Sequence, residues 1–414
     1  MPKVPARHAD PGLKEAWWRR PLVLFLVSLG LFAAFSDGKL FHQSQAPQFI
    51  YQAEAFLHGQ TAITVTPPNL NDWARANGQW YVSFPPFPAV LMAPFVALWG
   101  FQFNDVSFTV FFAALNVALL FLLLRQLSSA GDSARTEQEN TALSLLFAFG
   151  TVNFYCSIRG EVWFTAEVLG VTMTCLYLLA AHRVRYPSLA GLAFACAAIT
   201  RTPLAFSIPF FGLELLAPTG RLDVALLRQR RREIIEKAVQ FAGPVVAVAL
   251  PMMWMNYVRF GRPTEFGHSF LYNNRVNADV ARWGLFNVHY LWRNLRAAFL
   301  LLPTVSWPSG RPPQPAFDPH GMSLFITTPL FALLFWPKAK PRLNRILWLT
   351  VAAVSIPGFF YQNDGWRQFG FRFSLDYTPY LFLLLAVGGW KIGRWFWALA
   401  AVGLAINLWG ALAF

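Results

Sequence analysis

The chain has 414 residues, of which 56% are hydrophobic, 17% aromatic and only 13% charged. Soluble domains carry about 25% charged residues, so these proportions exclude a soluble globular protein and leave a polytopic membrane protein. The net charge of +14 does not point to nucleic acid, because Lys and Arg fall mainly in short gaps between apolar runs, as in positive-inside loops.

The first apolar run, 21–36, lacks a small-residue cleavage site and is expected to stay as a span. It ends at Ser36-Asp37-Gly38-Lys39 and opens a long polar stretch. Within that stretch, Phe49, Ala53, Phe56 and Leu57 recur at helical spacing between Gln48 and His58, which predicts a helix lying on the membrane surface. Further on, Asn77-Gly78 predicts a turn between two short extended pieces. The run 84–100 is apolar, but Pro85, Pro86, Pro88 and Pro94 make it a poor spanning helix. Ten later runs complete a set of about eleven spans: 105–125, 141–157, 161–182, 187–200, 203–217, 238–258, 322–336, 344–361, 374–390 and 393–412. Cys156, Cys175 and Cys196 sit in or beside these runs without metal-ligand spacing and read as small buried hydrophobes.

Charge decides the sidedness. With 84–100 not spanning, the N-terminus is cytoplasmic and the inside segments are 1–20, 125–140, 183–186, 218–237, 337–345 and 391–394. These short segments hold most of the 34 Lys and Arg residues. If 84–100 spanned, the cluster from Arg228 to Arg232 would face outward, against the positive-inside rule. The extracytoplasmic face then carries 37–104, 256–321 and 362–373. The second of these repeats the surface-helix pattern over Asn287 to Leu302. The chain reads as one domain, 1–414. Its fold class is all-α: a polytopic helical membrane protein of about 11 transmembrane helices, with surface-lying helices in its first extracytoplasmic loop.

Carboxylates near a bilayer are costly to hold and usually have work to do. Asp37 lies at the mouth of the first span and Asp72 in the loop ahead of Asn77-Gly78. Both have the best claim as a general base that takes a proton from a hydroxyl acceptor. Glu54 falls on the surface helix and Glu161 opens the span 161–182. Asp105 starts another span, where an acidic residue often serves as a helix cap. Each of them, taken alone, also reads as a solvated or capping carboxylate. Six arginines, Arg159, Arg201, Arg259, Arg262, Arg367 and Arg372, fall at the outer ends of spans. They either snorkel to lipid headgroups or converge on a phosphate, which Arg binds bidentately. Trp80, Tyr81 and Trp366 suit sugar stacking and equally suit an interfacial belt. The histidines are scattered without a metal-binding spacing. No nucleotide-binding glycine loop, GxSxG or HExxH motif occurs.

The layout resembles the GT-C membrane glycosyltransferases, a superfamily that includes the protein O-mannosyltransferases and the aminoarabinose transferases of lipid A modification. The resemblance covers most of the chain in topology. Locally it rests on Tyr51 to Gly59, Gly78 to Pro88, Thr200-Arg201-Thr202-Pro203, Asn256 to Gly267 and Phe369-Gly370-Phe371-Arg372. It implies an inverting transfer of a sugar from a polyprenyl-phosphate donor to a lipid, glycan or protein acceptor on the extracytoplasmic face. An Asp of the first external loop would act as base. The family's Asp-Glu pair ahead of the surface helix is replaced here by Gln43-Ser44-Gln45-Ala46-Pro47-Gln48. Asp37 is the nearest acid upstream, and Glu161 is the candidate for the second acidic position.

The reading is therefore a lipid-linked-sugar glycosyltransferase of the bacterial-type plasma membrane. Asp37, Asp72 and Glu161 are its candidate catalytic acids. Arg201, Arg372, Arg367, Arg259, Trp80, Tyr81 and Glu54 are its candidate binding residues. The partners implied are the donor, the acceptor and the bilayer, and no nucleic acid. No cofactor is assigned, and a divalent cation is left open. Two alternatives stand beside it: a lipid or amphiphile transporter or flippase, and a catalytically silent GT-C-like scaffold.

Overall fold

A computed structural model describes residues 18–306, 314–316 and 318–413. The basic residues at positions 1–17 of the first inside segment lie outside the described residues. The protein is helical, with only two short two-stranded sheets among the described residues. Each of the eleven apolar runs falls on a helical segment. Among the described residues, four helices are long and apolar enough to cross a membrane: Asp105–Ser129, Val162–Val184, Arg231–Phe260 and Arg394–Ala413. Other runs form shorter or broken helices. Pro203 and Pro209 open successive short helices over 202–216, and Pro329 separates Leu324–Thr327 from Pro329–Phe335. Proline lacks the N–H that would continue the ladder, so each new helical piece starts there.

The surface helix predicted after Gln48 is present as Gln48–Leu57. Phe87–Trp99 packs against it, with Pro94 inside. At 13 residues this helix is about 20 Å long, short of a hydrocarbon core of about 30 Å. The stretch after Asn287 is helical as well, but in three short pieces, Val288–Tyr290, Leu291–Leu295 and Arg296–Leu300.

The Asp105–Ser129 and Val162–Ala181 helices form the centre of the bundle and are joined by polar side chains. Asn116 donates to the Val168 carbonyl at 2.8 Å and accepts from Thr172 at 2.6 Å. The hydroxyls of Thr109 and Thr165 meet at 2.6 Å. Such bonds fix the register of two helices where lipid offers no other partner.

Strands β1 (Trp73–Ala76) and β2 (Gln79–Val82) pair antiparallel, with Trp73 opposite Val82. Asn77 and Gly78 turn between them at φ 50° and 77°, the two positive values that a two-residue primed hairpin needs. The hairpin holds Asp72 at its near end. Trp73 is fully buried, and its carbonyl accepts from Tyr272 N–H at 2.8 Å. Gly267, at φ 106°, lets the loop after Phe260 press on this unit. A Cβ there would lie 2.9 Å from the Phe260 ring and 3.2 Å from the Ser83 Cα.

Candidate active site

Two cavities meet beneath the first loop. The smaller, about 220 Å³, has a largely apolar wall that includes Phe84, Phe206, Phe286, Val354, Phe359 and Phe373. The larger, about 1140 Å³, is edged by amides and charged groups, among them Asn69, Asn71, Glu161, Asp364 and Arg367. Asp72, Trp163, Gln362, Asn363 and Arg372 line both and so form the boundary.

Asp72 has a left-handed backbone, φ 57°, a conformation Asp tolerates better than most side chains. Its carbonyl accepts from Ser83 Oγ at 2.8 Å, which ties it to the end of β2. Its Oδ2 accepts from the indole N–H of Trp163 at 2.8 Å. Trp163 stands in the first turn of Val162–Ala181, where Val162 N–H donates to the Ala46 carbonyl at 2.9 Å. The loop and the helix are thus docked at the carboxylate.

Arg372 on this boundary and Arg201 in the smaller cavity belong to one buried ionic cluster. Arg201 is paired with Asp376 through two nitrogens, the second at 2.8 Å. Glu167 Oε1 sits 3.7 Å from Arg201 and 3.4 Å from Arg372, bridging the two guanidinium groups. Phe373 lies against both guanidinium groups. Two cations and two anions nearly cancel, which makes the burial tolerable. Arg372 nevertheless keeps Nε and Nη1 without a hydrogen-bond partner, although both are buried. Buried donors of this kind normally find an acceptor. An anion entering at the boundary would supply one.

The remaining candidates are spread more widely. Glu161 and Arg367 line the larger cavity. Arg159 lies 3.7 Å from Glu161 and over the Tyr155 ring. Asp37 is exposed in the turn after the first helix and lines neither cavity. Glu54 faces His58 at 3.4 Å on the surface helix, outside both cavities. Arg259 is fully buried and reaches the Val82 carbonyl and Asn256 Oδ1, so it clamps the end of a long helix to β2. Trp80 packs on Tyr272 beneath Arg75, and Tyr81 packs on Phe260; neither ring faces a cavity.

Asp105 is not the cap of its own helix. Asn104 caps it, accepting from Ser107 N–H at 2.9 Å. The Asp105 carboxylate instead accepts from Ser44 N–H at 2.8 Å and Ser44 Oγ at 2.6 Å. It fastens the segment that stands where the resemblance calls for an Asp-Glu pair.

Several site groups escaped sequence reasoning: Trp163, Glu167, Asp376 and the Arg293–Asp364–His320 group. Asp364 in that group is within 3.5 Å of Arg293 and hydrogen-bonded to His320. Glu167 carried a usable signal, since a carboxylate inside an apolar run marks a functional position by default. Trp163 carried none, as one more aromatic at the outer end of a span. Among the described residues no group of three or more His, Cys, Asp and Glu side chains gathers as a metal site.

His268 lines the smaller cavity between the rings of Phe84 and Tyr361. Burial pushes its imidazole below the ordinary value; Arg201 acts in the same direction, while Glu265 and Asp72 oppose. Between the lowered folded-state value and the ordinary one near about 6.5, the unfolded chain binds more protons than the folded chain. Stability from this group is complete above about 6.5 and is lost as the pH falls below it. The melting temperature of the wild type is expected to drop more steeply than that of His268→Gln between about pH 7 and about pH 5. Parallel slopes would remove this role.

No family model matches the sequence, and no curated protein matches it. Solved structures do. The apo oligosaccharyltransferase of Archaeoglobus fulgidus superimposes with a TM-score of 0.51 at 14% identity, over 98% of this chain and 56% of that one. ArnT from Cupriavidus metallidurans, bound to undecaprenyl phosphate, gives a TM-score of 0.49 at 14% identity, over 93% of this chain and 61% of that one. The chain therefore shares its fold with this oligosaccharyltransferase. It spans little more than half the length of these relatives. With its apolar helices, it is an integral membrane protein.

Proposed function

We propose that this protein is a membrane glycosyltransferase that moves a sugar from a polyprenyl-phosphate donor to a hydroxyl acceptor, with inversion and with Asp72 as general base. The observation that carries this reading is the position of Asp72, on the boundary between an apolar cavity with an arginine cluster and a larger polar one. The apolar cavity suits the first isoprene units of a lipid donor. Arg372, which lines both cavities, suits its phosphate. The polar cavity suits the acceptor.

In the reaction the acceptor oxygen attacks the anomeric carbon from the face opposite the phosphate. Asp72 takes the hydroxyl proton as the new C–O bond forms. The bond from the anomeric carbon to the phosphate oxygen breaks, and the phosphate leaves with the electron pair. Arg372 and Arg201 stabilise the charge that grows there. The fold shared with an oligosaccharyltransferase supports the same class of reaction. The test is transfer of radiolabelled sugar from undecaprenyl-phosphate glucose, mannose and aminoarabinose into membranes of the source cell, with and without the purified protein. No release of undecaprenyl phosphate from any of the three would count against the reading.

The active site is placed on the extracytoplasmic side, because the short basic loops then face the cytoplasm. Gln60 and Ala134 are exposed on segments assigned to opposite sides, and the three native cysteines are buried. In intact cells an impermeant thiol reagent is expected to label Gln60→Cys and spare Ala134→Cys. Labelling of both, or the reverse pattern, would reject the assignment.

One observation favours the transporter alternative: Glu167 is fully buried in a helix long enough to span. Its contacts are with the arginines of the boundary, however, which fits a fixed phosphate site as well as an ion path.

A further inference from the structure

We infer that Trp163 is the positioning residue of the reaction: its indole N–H holds the Asp72 carboxylate in its acceptor-facing orientation. This rests on the reading of Asp72 as the base. Trp163 and Asp72 belong to different elements and line both cavities, and their hydrogen bond of 2.8 Å joins the hairpin unit to the first turn of the Val162–Ala181 helix. The donor meets Oδ2, and among the described residues no side chain hydrogen-bonds Oδ1, which leaves that oxygen for a hydroxyl proton. The carboxylate is anchored on its backbone side as well, where the Asp72 carbonyl accepts from Ser83. A base fixed through its backbone and one oxygen keeps the other oxygen in a single direction, which is what proton abstraction needs.

Among the described residues, Trp163 is the side chain seen to hydrogen-bond the carboxylate.

The test is kcat and KM for sugar transfer from undecaprenyl-phosphate donors by wild type, Trp163→Phe and Trp163→His. Phe keeps an aromatic ring between the cavities and removes the N–H donor. In Trp163→Phe kcat is expected to fall about 10-fold with KM for the donor unchanged. Trp163→His, which keeps a ring N–H, is expected to recover part of that loss. In an Asp72→Asn background, Trp163→Phe should cost nothing further. Size-exclusion chromatography and a melting curve check that each variant is folded, and Trp163→His carries the test if Trp163→Phe is not. An unchanged kcat in a folded Trp163→Phe, or an equal further loss in the Asp72→Asn background, overturns the role of Trp163. Full activity of Asp72→Asn instead overturns the base itself, so the two failures are distinguishable.

Discussion

Asp72→Asn is expected to lower sugar transfer by about 10²- to 10⁴-fold, the range that a positioned general base contributes. Asparagine keeps the shape of the side chain, the left-handed turn and an oxygen that can accept from Trp163. Folding and donor binding should therefore survive, and the loss should appear in kcat rather than KM. Asp37→Asn is the matched control. Asp37 is exposed, outside both cavities, and should leave the rate within about 2-fold, as surface substitutions do. A fully active Asp72→Asn enzyme would require another acid to take the proton, with Glu161 in the larger cavity as the next to test.

The second large effect is expected at Arg372. Its replacement by Ala should weaken binding of undecaprenyl phosphate by about 10- to 150-fold, since a hydrogen bond to a charged group contributes about 1.5–3 kcal/mol. Arg372→Lys should recover only part of this, because an ammonium group restores the charge without the planar fork. The side chain is almost fully buried and lines both cavities. Its loss also leaves Glu167 with Arg201 as its one remaining cation, so the variant should be less stable. Lipid binding measured by native mass spectrometry at a temperature where both proteins are folded separates the two effects. Equal affinities of wild type and Arg372→Ala would place the phosphate elsewhere.

Much of the architecture was legible in the chain itself. Each apolar run falls on a helical segment, and Pro85, Pro86 and Pro88 stand where Phe87–Trp99 begins. Asn77-Gly78 announced the hairpin that carries Asp72. Helix breaks were harder to see. The run 322–336 is as apolar as any other, yet Thr328-Pro329 divides it. A hydropathy pattern records how oily a segment is and not whether its hydrogen-bond ladder is continuous.

The candidate site was legible only in part. Arg201 and Arg372 were singled out as outer-end arginines, and they do converge on Glu167, although a long stretch of chain separates them and sequence spacing cannot be converted to distance. Their partners Glu167 and Asp376 were not foreseen, because a carboxylate shows its counter-ion only when helices far apart in the chain pack together. Arg259 shows the converse. It sits in an Arg-rich outer motif like the others, but packing turns it inward to hold β2.

The sequence by itself determined that this is a membrane protein with a long polar loop after its first helix. Those are properties of composition and order, which solvation by lipid and water reads directly. Only the tertiary structure decided between the two loop carboxylates. Asp37 and Asp72 are equal in chemistry and both lie in the loop. Asp72 alone is carried by a hairpin to the boundary of two cavities and met there by an indole N–H from a distant helix. Whether a carboxylate is a solvated turn residue or a candidate base depends on what surrounds it, and those neighbours come from elsewhere in the chain.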